Sequence, residues 1–127
     1  MRVALDTNRY VDLISGDEAV AQLLELADAV LVPYVVLAEL RAGFAFGSQP
    51  ADNEQLLRRF LMKDGVEVLF ADDQTTHHYA RLYAQLRRQG TPIPTNDLWI
   101  AALVLQHDAA LCSRDAHFDR LPQLARV

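Results

Sequence analysis

The chain has 127 residues, 51% of them hydrophobic, which excludes a disordered protein and suits one domain around one buried core. A formal net charge of −5 argues against tight non-specific binding to nucleic acid, whose binders usually carry a basic surface. The longest apolar run, Ala29 to Ala38, is interrupted by Pro33 and falls short of the ~20 residues that a membrane span needs. No apolar leader segment follows Met1, and the lone Cys112 has no partner for an intrachain disulfide, so a cytoplasmic protein is expected. All cationic side chains except Lys63 are arginine, the planar fork that suits phosphate.

Short apolar runs alternate with helical patterns, so the chain is expected to form an α/β domain with a mainly parallel sheet. Val3 to Asp6 reads as the first strand. Ser15 with Glu18 three residues later has a capping-box pattern and opens a helix through Ala19 to Leu24. Val30 to Val32 is the second strand. Pro33 suits the first turn of a helix that runs through Glu39 toward Gly43. Asp52 with Gln55 caps a helix carrying Leu56, Leu57, Phe60 and Leu61, and Val66 to Phe70 is the third strand. Asp73 opens a long amphipathic helix, with Tyr79, Leu82, Tyr83 and Leu86 at helical spacing, that ends at Gly90. Thr95 caps the helix from Leu98 to Leu105, which is apolar nearly all round and therefore central. Ala109 to Ser113 is the fourth strand, and Leu124 to Val127 is a candidate fifth. No repeat, low-complexity tract or linker divides the chain, so 1–127 is read as a single domain.

Four carboxylates fall where such a sheet would gather them. Asp6 ends the first strand, Asp115 follows the fourth, and Asp97 lies in the first turn of the central helix. Glu39 sits among Leu37, Ala38 and Leu40 in a helix passing nearby. In open parallel sheets, ligands collect beyond the carboxyl ends of the strands. Each acid alone has an ordinary explanation: a turn residue or cap for Asp6 and Asp115, a helix-dipole acid for Asp97, a salt bridge to Arg41 or Arg114 for Glu39. Together they would repel, and a fold tolerates that only with a partner charge, a bound proton or a metal. Oxygen donors without a Cys or His set point to Mg²⁺ or Mn²⁺, and hence to a metal-dependent phosphodiesterase.

Other residues carry less. His77 and His78 are adjacent on a helix, point about 100° apart, and do not form a paired metal site. His117 could lie near the acids, but a loop or cap residue is its first reading, and Trp99 is read as core. No nucleophilic Ser or Cys motif and no Gly-rich phosphate loop is present. A phosphoryl-accepting receiver domain would need a lysine after a late strand, whereas Lys63 precedes the third. An aspartate-nucleophile phosphatase would want an acid two residues after Asp6, where Asn8 stands.

With these blocks in order, the chain resembles the PIN-domain family, in particular the small bacterial VapC-type toxins of toxin–antitoxin pairs. The resemblance rests on Leu5-Asp6-Thr7-Asn8, on Ala38-Glu39-Leu40-Arg41-Ala42-Gly43, and on Pro94-Thr95-Asn96-Asp97-Leu98-Trp99-Ile100-Ala101-Ala102. Ser113-Arg114-Asp115-Ala116-His117-Phe118 completes it, so it spans nearly the whole chain. It implies a three-layer α/β/α fold whose central, mainly parallel sheet has four or five strands. It further implies Mg²⁺- or Mn²⁺-dependent endonucleolytic cleavage of RNA (tRNA or rRNA among the targets), a VapB-like antitoxin and a homodimer. The alternative is a PIN nuclease of general RNA processing that has no antitoxin.

The resemblance assigns the catalytic acids to Asp6, Glu39, Asp97 and Asp115, with Asp6, Asp97 and Asp115 on the metal. Thr7, Asn8 and Ser113 would hold carboxylates and waters in place. Ser113 stands where the family more often has Thr, and it keeps the hydroxyl. Arg9 follows the Asp-Thr-Asn where many relatives carry a small or apolar residue; it either touches substrate phosphate or packs on the surface. Arg114, beside Asp115, is the basic residue to test first for substrate contact.

Overall fold

The computed structural model describes residues Met1 to Val127. Four strands, β1 (Arg2–Leu5), β2 (Ala29–Pro33), β3 (Val66–Leu69) and β4 (Ala110–Cys112), form one parallel sheet in the order β3-β2-β1-β4. Between them lie α1 (Thr7–Ile14), α2 (Glu18–Leu26), α3 (Tyr34–Phe46), α4 (Pro50–Leu61), α5 (Asp73–Gln89) and α6 (Thr95–Gln106). A 3₁₀ turn follows β4 over Ala116–Arg120. Connections from β1 to β2 and from β2 to β3 step one way across the sheet, and the one from β3 to β4 steps back. Right-handed crossovers therefore put α1 to α4 on one face and the packed pair α5 and α6 on the other, giving the expected three layers.

Both faces of the sheet are covered, so β1 and β4 are continuous apolar runs rather than alternating ones. Val3, Ala4, Leu5, Ala110, Leu111 and Cys112 are all buried. α6 is the central helix, with Leu98 and the whole run from Ile100 to Val104 buried. Each fully buried Leu, Ile or Val there stabilises the fold by roughly 1.5–3 kcal/mol. Trp99 is partly buried against Tyr79, with ring centroids 4.3 Å apart, as expected of a core residue. No helix is long and apolar enough to cross a membrane.

The differences from expectation lie at element ends. An eight-residue helix, α1, follows β1 directly where the sequence reading placed none; its weak apolar content hid it, and Asp6 caps it. Asp17, not Ser15, caps α2, accepting the Val20 N–H at 3.1 Å. Pro50 occupies the first turn of α4, so Asp52 lies inside the helix rather than at its cap. Asp72 caps α5 in a reciprocal box with Thr75, one residue before the expected Asp73. Pro94 takes the cap position of α6, making Thr95 its first residue. Gly43 lies within α3, which continues to Phe46, whereas Gly90 ends α5 in the left-handed conformation at φ 70°. The candidate fifth strand reduces to one bridge between Leu111 and Arg126.

Candidate active site

The register of β1 and β4 builds the centre of the site. Leu5 pairs with Cys112, and the Asp6 N–H donates to the Cys112 carbonyl at 3.1 Å. The next residues, Asp6 and Ser113, therefore stand side by side just past the strand ends, where the strand order reverses. Ser113 Oγ donates to Asp6 Oδ2 at 2.6 Å and accepts the Asp115 N–H at 3.1 Å. Asp6 Oδ1 accepts the Thr7 N–H at 2.8 Å, so one carboxylate both caps α1 and faces the site. Both Asp6 and Ser113 are buried.

Two helices bring the remaining acids. Thr7, at the first turn of α1, donates its hydroxyl to Glu39 Oε1 of α3 at 2.9 Å. Asp97 is buried in the first turn of α6. Asp115 caps the 3₁₀ turn, its Oδ1 accepting the His117 N–H at 2.9 Å. That turn folds the His117 ring back between two acids: Nδ1 lies 3.2 Å from Asp97 Oδ2 and 3.0 Å from Asp115 Oδ1. In neither case is the geometry that of an aligned hydrogen bond, and the buried Nδ1 atom is left without a partner of that kind.

Asp97 registers the sum of these charges. Burial, followed by the charges of Asp115 and Asp6, pushes its carboxyl from 3.8 up to about 6. His117 opposes the shift and Glu39 adds a smaller push. The structure thus brings Asp6, Glu39, Asp97 and Asp115 together, and no lysine or arginine forms an ion pair with any of them. Oxygen donors with uncompensated negative charge and an orphaned imidazole nitrogen suit a divalent cation. Asp97, Asp115 and His117 each offer a donor atom within 4.8 Å of the others.

The other candidates are placed as follows. Thr7 and Ser113 hold site carboxylates, whereas Asn8 is exposed and outside that network. Arg114 binds Asp12 through two nitrogens, at 3.1 and 3.2 Å, and Arg9 reaches the same carboxylate at 3.2 Å. Arg41 pairs with Glu54, so neither suggested salt bridge to Glu39 exists. Ala38 is exposed and Glu39 is partly exposed, a wetter stretch than its apolar neighbours suggest, because only one side of the helix faces the core there.

Sequence reasoning ranked one residue of the site too low and missed another. For His117 a loop or cap role was preferred over a place near the acids, yet its ring stands among them. The signal was its place two residues after a capping aspartate, since such a cap draws that residue back. Arg126 donates to the Ser113 and Asp115 carbonyls at 2.8 and 3.2 Å and stacks 5.7 Å from the Phe118 ring centroid, fixing the turn that carries Asp115. Nothing in its local sequence marks it.

Residues 3–124 match the PIN domain. The chain belongs to the PIN-domain family. It is 37% identical to Ribonuclease VapC1 of Haemophilus influenzae strain R2866, over 94% of this chain and 92% of that protein. It is 32% identical to Ribonuclease VapC5 of Mycobacterium tuberculosis, over 97% and 90% respectively. Its fold superposes on the crystal structure of VapBC2 from Rickettsia felis bound to a promoter DNA fragment, with a TM-score of 0.90 and 28% identity, covering 100% of this chain and 98% of that one.

Proposed function

We propose that the chain is a divalent-metal-dependent endoribonuclease acting as the toxin of a toxin–antitoxin pair in the cytoplasm. One observation carries the reading: four carboxylates converge at the switch point of a parallel sheet with no lysine or arginine to neutralise them. Membership of the PIN-domain family supports it, as do relatives named as VapC ribonucleases and likeness to a VapBC complex. The whole chain is taken as a single nuclease domain.

Asp6, Asp97 and Asp115 would hold Mg²⁺ or Mn²⁺. When bound, such an ion supplies Lewis acidity toward a phosphate oxygen and toward a water. The chain's own residues do the rest. Thr7 N–H and Ser113 Oγ each occupy one lone pair on Asp6, fixing the carboxylate while leaving both oxygens a further lone pair. Glu39 is held at Oε1 by the Thr7 hydroxyl, which leaves Oε2 to orient the attacking water and take its proton. Ser113 ties Asp115 to Asp6 through one hydroxyl, so the two acids keep a fixed separation.

Arg114 is the exposed basic group nearest in sequence to the acids and the first candidate for substrate phosphate; Arg9 is the second. An acidic groove of this kind suits an arginine from a VapB-like antitoxin, whose paired hydrogen bonds to a carboxylate are among the stronger ones available. The family resemblance adds a homodimer.

The test is RNA cleavage by the purified chain with and without Mg²⁺ or Mn²⁺, alongside mapping of new 5′ ends after induction in cells. The wild-type chain should cut at discrete sites and arrest growth, and co-expressed antitoxin should restore it. If Asp6→Ala and Asp97→Asn both cleave at the wild-type rate, the site is elsewhere.

A further inference from the structure

We propose that His117 contributes its imidazole Nδ1 as a nitrogen ligand of the metal centre, beside Asp97 and Asp115, and tilts the site toward Mn²⁺ over Mg²⁺. The inference rests on the reading of the acidic cluster as a metal site and deepens it.

Three observations support it. First, Nδ1 lies 3.0 and 3.2 Å from one oxygen each of Asp115 and Asp97. Adjacent ligands around an octahedral ion with bonds of ~2.1 Å stand roughly 3 Å apart, so these separations match the edges of such a shell. Second, this nitrogen is buried and makes no aligned hydrogen bond to either carboxylate. A histidine placed only as an ion-pair partner would aim its N–H along one of them. Third, the ring is delivered by a built turn. The His117 N–H is tied to Asp115 Oδ1 at 2.9 Å, and the next residue, Phe118, is anchored in the core at 1% exposure.

The chemistry follows from donor type. Mg²⁺ is a hard ion that prefers oxygen and gives up its waters reluctantly. Imidazole is a better ligand for first-row transition ions than for Mg²⁺. With the proton on Nε2, Nδ1 offers a lone pair to the ion, and the two neighbouring carboxylates supply charge. An all-carboxylate set would leave selection to metal availability; one nitrogen adds discrimination.

The test uses the full chain and metal alone. Mn²⁺ and Mg²⁺ affinities are measured by calorimetric titration, and Mn²⁺-loaded protein is examined by pulsed electron paramagnetic resonance for coupling to ¹⁴N. Wild type should show the coupling; His117→Ala and His117→Gln should lose it. The ratio of Mn²⁺ to Mg²⁺ affinity should fall by about tenfold in both variants. Absence of nitrogen coupling in wild type, or an unchanged ratio in the variants, overturns the proposal. Should His117→Ala fail to fold, the wild-type spectrum and His117→Gln still decide it. Asp97→Asn separates the two levels. If it abolishes Mn²⁺ binding while His117→Ala binds as wild type, only the histidine ligand is refuted. If Asp97→Asn binds Mn²⁺ as tightly as wild type, or wild type binds none, the carboxylate site itself falls.

Discussion

Asp12 and Asp97 are the same residue type in two clusters joined by adjacent residues, for Arg114 turns to Asp12 while Asp115 turns to Asp97. At Asp12 the hydrogen bond from Arg114, with a further one from Arg9, holds the carboxyl below its usual range. At Asp97 burial and the acids around it drive the carboxyl up to about 6. The first cluster is electrostatically closed: its acid has its cations, and nothing further is required. The second remains open, with more negative charge than one histidine can balance. Charge imbalance, rather than acid content, is what sets the site apart from the rest of an acidic surface.

Filling or removing the imbalance should have the largest consequences. Asp97→Asn should lower RNA cleavage in Mg²⁺ or Mn²⁺ by more than the 10–100-fold typical of a residue that only supports a ligand, with circular dichroism unchanged. Without metal the same substitution should stabilise the protein. The folded carboxyl titrates near 6 instead of 3.8, so its protonated form is favoured by folding. Its contribution to stability is full below the ordinary carboxylate range and is lost as pH rises through about 6. A shift of this size is worth on the order of 2–3 kcal/mol, or roughly 10 °C in Tm for a domain of this length. In metal-free thermal melts Asp97→Asn should therefore gain on wild type between pH 4 and pH 7. Adding Mn²⁺ should reverse the order at pH 7, because only the wild type gains fully from binding the ion. Equal melting curves across that pH range would mean that the charges at Asp97 are already balanced.

Much of the open cluster was legible beforehand, and the reason is topological. Asp6 and Asp115 adjoin apolar runs that read as strands, Asp97 opens a helix apolar all round, and parallel sheets deliver such positions to one edge. The four-stranded sheet followed from the same runs. The less legible parts depended on tertiary detail. α1 was hidden because its helix is polar on one face and short, so the helix that Asp6 caps went unplaced although a turn or cap role for Asp6 was among its readings. Ring orientation at His117 depends on a side-chain cap within a five-residue turn, and Arg126 reaches back to Ser113 and Asp115 from the chain's end. Pairings such as Arg114 with Asp12 span 102 positions, and sequence gives no reason to choose Asp12 over Glu39 as the partner.

A middle-sized effect is expected at Ser113, whose hydroxyl joins Asp6 to Asp115. Ser113→Ala leaves the buried Asp6 Oδ2 and the Asp115 N–H without this partner, a cost of about 1–3 kcal/mol. Cleavage should fall roughly 10–100-fold, as for other residues that hold metal-binding side chains. Ser113→Thr keeps the hydroxyl and should restore both stability and rate. Failure of threonine to rescue would place the serine's role in its size rather than its hydrogen bonds.

The smallest effect should come from the closed cluster. Asp12→Asn removes the anion that gathers Arg9 and Arg114 but touches none of the four converging acids. Partly exposed ion pairs contribute little to stability, because water and salt screen them. The variant should therefore keep its Mn²⁺ affinity within about twofold, as measured by calorimetric titration, since charges beyond hydrogen-bond reach act weakly across solvent. Releasing Arg114 changes what that guanidinium can touch, so any kinetic consequence should appear in KM for RNA, with kcat retained. A fall in kcat together with lost metal affinity would show that Arg114 and Asp115, neighbours in sequence, transmit charge between the two clusters, and the contrast between a closed and an open cluster would fail.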